Sequence, residues 1–126
     1  MRAVREVMST GLITVAPSAM ISEAVGTMSK AGVGSVLVLE DGALGGILTE
    51  RDVLRAFDQM HADPARVSPV SKGMTRDPRT IDLDATVGAA MDRMLDGGFR
   101  HLPVMEGGTL VGIVSMRDLA RSISKG

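Results

Sequence analysis

A constant offset of 66 residues lays the second half of the chain on the first. It places Met74-Thr75 under Met8-Ser9, Thr80 under Thr14, Met94 under Met28, Gly98 under Gly32, Val104 under Val38, Glu106 under Glu40 and Arg117-Asp118 under Arg51-Asp52. Agreement at one offset, turn glycines included, identifies a duplication, and a duplication constrains the fold more than any local propensity: what one copy adopts, the other adopts. The sequence divides into a first repeat over 1–60, a linker over 61–71 and a second repeat over 72–126. One copy of about 60 residues is marginal alone, so the two are expected to share a core as one module.

Each copy opens with a short extended piece, Ile13-Thr14-Val15 or Thr80-Ile81, and the polar Ser18 and Asp84 are the expected N-caps of a helix. Apolar residues at 21, 24, 25 and 28, and at 87, 90, 91 and 94, keep the i, i+3, i+4, i+7 spacing of a one-sided helix. Gly32 and Gly97-Gly98 supply the stops. Two apolar runs follow, Val36 to Leu39 and Leu44 to Leu48, joined through Asp41-Gly42, a hairpin turn signal. The second copy repeats them as Leu102 to Met105 and Leu110 to Val114 around Gly107-Gly108. A closing helix starts at Thr49 or Ser115, and is expected to use Val53, Leu54 and Phe57, or Leu119, Ala120 and Ile123, as its apolar side. The expected fold class is α/β (α+β): two pseudo-symmetric strand-helix-strand-strand-helix repeats packed sheet to sheet. His61 to Ser71, carrying Pro64 and Pro69, reads as a connecting loop.

The apolar fraction of 44% and charged fraction of 23% are those of a globular chain. A net charge of −1, with two Phe and neither Trp nor Tyr, argues against nucleic acid, which asks for a basic field and stacking platforms. The absence of cysteine removes disulfides, thiolate metal sites and thiol nucleophiles together. No apolar run approaches the ~20 residues of a bilayer span, and the N-terminus lacks a signal-like apolar stretch, so the expectation is no membrane and a cytoplasmic location.

The pattern richest in chemistry follows each hairpin. Gly46-Ile47-Leu48-Thr49-Glu50-Arg51-Asp52 is matched by Gly112-Ile113-Val114-Ser115-Met116-Arg117-Asp118, both of the form G-h-h-[ST]-x-R-D. A hydroxyl followed three residues later by an acid resembles a capping box. An acid at a strand-to-helix turn is also placed to accept both hydroxyls of a ribose diol, with the hydroxyl residue and free N–H groups of the helix start facing phosphate. The two roles are compatible, and both stay open on the residues alone.

With these motifs in view, the chain resembles the CBS domain family, and the tandem resembles a Bateman module, from Val7 to Ile123. Further matching segments are Met8-Ser9 and Met74-Thr75, Val33 to Val38, and Phe99-Arg100-His101-Leu102-Pro103-Val104. The resemblance implies a regulatory module without catalytic activity that binds AMP, ADP, ATP or S-adenosylmethionine in clefts between the repeats, with no cofactor and no metal. It implies ribose contacts from Asp52 and Asp118 with Thr49 and Ser115. Adenine would lie against Thr14, Val15, Thr80 and Ile81, with walls from Val36, Leu37, Leu102 and Pro103, and phosphate would meet Arg100 and His101, where the first repeat has only Gly34 and Ser35. Arg51 and Arg117 would face phosphate or solvent. A charged His101 near phosphate would strengthen binding as pH falls. A homodimer built on helix faces, or an unknown protein partner, would carry the signal.

Two rival readings remain at this level: a structural or dimerisation module with empty clefts, and an accessory regulator of a metabolic enzyme, as in inosine monophosphate dehydrogenase. The methionines, among them Met28, Met91 and Met94, read as core filler. His61 and Asp63 lack a third ligand nearby, and Gly42 to Gly46 fits no phosphate-loop spacing.

Overall fold

The computed structural model describes residues 2–124. Its elements alternate as the duplication requires. A 3-10 turn, Val4–Glu6, precedes β1 (Thr14–Val15), α1 (Ile21–Ala31), β2 (Ser35–Glu40), β3 (Ala43–Thr49) and α2 (Glu50–Met60). Then come α3 (Ala62–Val67), α4 (Val70–Gly73), β4 (Thr75–Arg76), β5 (Ile81–Asp82), α5 (Val87–Gly97), β6 (His101–Glu106), β7 (Thr109–Ser115) and α6 (Met116–Ser124). The result is a mixed α and β fold with two sheets, as the periodicity implies. By packing, the chain forms two units, Ile13–Pro78 and Met1–Leu12 with Arg79–Gly126, called here the Asp52 unit and the Asp118 unit.

In the Asp52 unit the strand order is β1-β2-β3-β4. β1 runs parallel to β2, and β2 and β3 form an antiparallel hairpin closed by Asp41 (φ 51) and Gly42 (φ 81), the left-handed pair a two-residue turn demands. Val36, Val38 and Leu48 pack on Ala24 and Met28 of α1, with Val70 and Met74 completing that core. On the other face of the sheet the cross-strand partners Leu37 and Ile47 are buried too.

The Asp118 unit has the order β5-β6-β7 and the same hairpin, down to a register shift at Val104/Met105 that repeats the one at Val38/Leu39. Its core gathers Leu102, Val104 and Val114 under Val87, Ala90 and Met94 of α5, with Leu119 from α6 and Val4 from the N-terminal turn. Met28 and Met94 are thus core, and Met91 packs against it.

The packing units are displaced from the sequence repeats by about a dozen residues. The segment before each repeat's first strand belongs to the other unit. Ser9 and Ile113 exchange both backbone hydrogen bonds, at 2.8 and 3.0 Å, where β4 pairs Thr75 with Ile47. The equivalence extends further: Val4 N–H to Ala85 O matches Val70 N–H to Ala19 O, and Val87 N–H to Arg2 O matches Ile21 N–H to Ser68 O. Gly46 and Gly112 permit this crossing. A Cβ on Gly46 would lie 2.7 Å from Met74 Sδ and 2.8 Å from the Thr75 carbonyl oxygen, and one on Gly112 would lie 2.7 Å from Met8 Sδ and 2.9 Å from the Ser9 carbonyl oxygen.

Several local expectations are corrected. The stretch 61–71 is not a loop: it forms α3 and begins α4, burying Ala65 and Val70. Pro64 stands in the first turn of α3 and Pro69 caps α4, positions where a missing N–H costs nothing, so these prolines start helices instead of breaking them. The N-caps are Met20 and Thr86, two residues later than Ser18 and Asp84, because Ala16 to Ala19 fold as a turn and Asp84 pairs with Arg5. That carboxylate raises the Arg5 guanidinium above its ordinary value. Gly32 and Gly98 stop α1 and α5 in the left-handed conformation as expected. On α2 and α6 the apolar side is narrower than the sequence pattern implies: Leu54 is 71% exposed and Ile123 60%, and Ala120 is exposed, while Ala56 and Leu119 face inward. Val25 of α1 is likewise exposed.

Candidate functional site

Both G-h-h-[ST]-x-R-D runs end a hairpin strand and begin a helix, and in both the hydroxyl and the acid bond reciprocally. Thr49 N–H donates to Asp52 Oδ2 at 2.9 Å and Asp52 N–H to Thr49 Oγ at 3.2 Å. Ser115 N–H donates to Asp118 Oδ2 at 2.8 Å and Asp118 N–H to Ser115 Oγ at 3.1 Å. This is a capping box with Asp at the position Glu usually takes. Capping uses one carboxylate oxygen and leaves the other to the surroundings.

Those surroundings differ. Asp52 is 2% exposed, and its Oδ1 accepts from the Thr75 hydroxyl at 3.0 Å and from Arg55 at 3.2 Å, while the Thr49 hydroxyl adds a second bond to Oδ2 at 3.1 Å. Asp118 is half-buried, and among the described residues no donor reaches its Oδ1. It lines an open pocket of about 210 Å³ with Arg2, Glu6, Val7, Arg121 and Ser122. Ser9 and Arg121 stand where the duplication puts Thr75 and Arg55, and neither bonds the acid.

Strand register gathers the other candidates around each motif. His101 is the cross-strand partner of Ser115, and the Arg100 carbonyl accepts the Met116 N–H at 2.8 Å, so Arg100, His101, Ser115, Arg117 and Asp118 converge on the start of α6. In the Asp52 unit, Ser35 pairs with Thr49 and the Gly34 carbonyl accepts the Glu50 N–H at 3.1 Å, which gathers Gly34, Ser35, Thr49, Arg51 and Asp52 at the start of α2. Arg51, Arg100 and Arg117 are exposed. Thr14 is exposed beside Leu37, whereas Val15 packs against the helix-side core of the Asp52 unit, which includes Val36, and Ile81 and Leu102 are buried in the corresponding core of the Asp118 unit. The Thr80 carbonyl accepts from Arg93, and Pro103 is buried on β6. Sequence reasoning missed Thr75, Arg55, Arg2 and Arg121. The repeat offset pairs Thr75 with Ser9 and Arg55 with Arg121, but only the fold shows that the segment before each strand crosses to the other repeat's acid.

Among the described residues no group of three or more His, Asp or Glu side chains could hold a metal, and no helix is long and apolar enough to cross a membrane.

Comparison with known proteins agrees with this architecture. The CBS domain model matches twice, over residues 4–59 and 67–125. A 17.7 kDa protein of Acidianus ambivalens, described only by its place in the bps2 3' region, is 40% identical over 122 residues, which are 95% of this chain and 72% of that one. Some curated relatives are far longer: the chain spans 14% of the meiotically up-regulated gene 70 protein of Schizosaccharomyces pombe. The crystal structure of the CBS-domain containing protein ATU1752 from Agrobacterium tumefaciens superposes with a TM-score of 0.91 at 34% identity, covering 97% of this chain and 99% of that one. The CBS domain pair of MJ0100, solved in complex with 5'-methylthioadenosine and S-adenosyl-L-methionine, superposes with a TM-score of 0.89 at 25% identity, covering 98% and 97%. With two matches that together take in most of its length and a fold shared with solved pairs, the chain belongs to the CBS domain family, as a tandem pair.

Proposed function

We propose that the protein is a regulatory module that binds an adenosine-type nucleotide and acts by binding, not by catalysis. The observation that carries this reading is the Asp118 carboxylate: one oxygen caps α6, the other has no donor among the described residues, and the acid lines an open pocket. A ribose diol supplies the two hydroxyl donors such an oxygen lacks. The start of α6, with Ser115, Arg100 and His101 beside it, is suited to a phosphate or carboxylate group. The adenosine ligands of the MJ0100 pair support the same ligand class here. Binding would shift the protein between conformations only as far as the ligand prefers one of them. Partner choice would rest with a second copy of the chain, for which the exposed Leu54, Leu95 and Ile123 offer apolar surface. Sedimentation equilibrium tests that point, with a dimer expected and a monomer at high concentration against it.

The deciding experiment for the ligand is thermal unfolding of protein freed of bound small molecules, with AMP, ADP, ATP, S-adenosylmethionine and GMP. A ligand at 100 times its Kd stabilises by about 2.7 kcal/mol, a rise of roughly 8 to 15 °C for a chain of this size. The expected result is such a rise with at least one adenosine compound and little with GMP. No rise with any of them would leave the motif acids as helix caps alone, a role the geometry of Asp52 already favours in its own unit.

A further inference from the structure

The duplication predicts two equivalent ribose acceptors, and the geometry supplies one. A diol binds a carboxylate by donating to it. At Asp52 both oxygens already receive donors: the Thr49 N–H and hydroxyl on Oδ2, the Thr75 hydroxyl and the Arg55 guanidinium on Oδ1. Ribose could reach this acid only by displacing Thr75 and Arg55 from a side chain that is 2% exposed, trading one pair of hydrogen bonds for another with no gain. At Asp118 no donor from the described residues has to be displaced from Oδ1.

Resting on the nucleotide reading above, we propose that the chain binds one ribose-bearing ligand, at Asp118, and that Thr75 and Arg55 withhold Asp52 from a second. Asp52 serves instead as the tie that fixes the Met74-Thr75 segment on β3, since the hydroxyl that seals it comes from β4. The two copies of the motif have divided the two roles that their sequence leaves open. One caps and ties; the other caps and binds.

Isothermal titration calorimetry with AMP and with S-adenosylmethionine, at protein concentrations above Kd, reads this out. One ligand per chain is expected. Asp118→Asn should weaken binding about tenfold or more, because the amide replaces an acceptor of charge-assisted bonds. Asp52→Asn should change affinity less than about twofold while lowering the unfolding temperature. Should Asp52→Asn fail to fold, Thr75→Val tests the same point with the acid kept, and it too should leave affinity within about twofold. Two ligands per chain, or a tenfold loss of affinity in Asp52→Asn or Thr75→Val, overturns the proposal while leaving the nucleotide reading intact. Absence of binding by either compound overturns both.

Discussion

In the Asp52 unit the motif acid is buried and receives donors from its own cap, from a helix arginine one turn on and from the strand that crosses in from the second repeat. In the Asp118 unit the acid makes the same cap and no other hydrogen bond among the described residues, although Arg121 and Ser9 occupy the corresponding places. Around this difference the two units agree in hairpin register, in the place of the register shift, in the left-handed helix stops and in the backbone bonds to the crossing segment. Duplication preserves the backbone framework because strand and cap bonds pair amides and carbonyls that the packing takes from water. Side chains at the motif are under no such obligation, and there the copies have diverged.

The two units should differ most in their response to loss of the acids. Asp52→Ala loses a cap together with the bonds from Thr75 and Arg55 and should cost about 2 to 3 kcal/mol, whereas Asp118→Ala loses mainly a cap, about 1 kcal/mol. Urea titration of both variants gives the difference directly; equal losses would mean that the extra bonds at Asp52 contribute nothing.

Next in size are the glycines under the crossing segments. Gly46→Ala and Gly112→Ala should each cost about 1 to 3 kcal/mol, and by similar amounts, since in both the new methyl meets a backbone carbonyl that cannot swing away. A large loss at one and none at the other would deny the pseudo-symmetry of the crossing.

The smallest effect concerns the helix caps. Thr86 accepts the Ala89 N–H at 3.0 Å, and the corresponding Met20, 44% exposed, has no side-chain acceptor. Thr86→Ala should cost about 1 kcal/mol, and Met20→Thr should gain about 0.5 to 1 kcal/mol. These amounts correspond to roughly 3 to 6 °C per kcal/mol in thermal melts.

Much of the fold was legible because periodicity and turn chemistry are local. The i, i+3, i+4, i+7 residues of α1 and α5, the Asp41-Gly42 hairpin and the Gly32 and Gly98 stops can each be read within a dozen positions. The prolines of 61–71 misled, because Pro breaks a helix in its interior and favours one at its start, and the neighbouring residues do not say which applies. Leu54 on α2 is exposed despite its apolar side chain, since hydrophobicity alone does not tell a core side from an exposed one. At the site, the acids and their caps were legible from spacing. The seal on Asp52 was not, because Thr75 lies 23 positions away and reaches Asp52 only through a strand that crosses into the other repeat's sheet.

Nucleotide bound at the Asp118 motif should perturb the amides around the start of α6. Amide chemical-shift mapping on 15N-labelled protein, titrated with AMP, tests it without altering a residue. The largest shifts are expected at Arg100, His101 and Ser115 through Asp118, with Thr49 through Asp52 moving far less. Largest shifts centred on Thr49 through Asp52, or none at saturating AMP and S-adenosylmethionine, would contradict it.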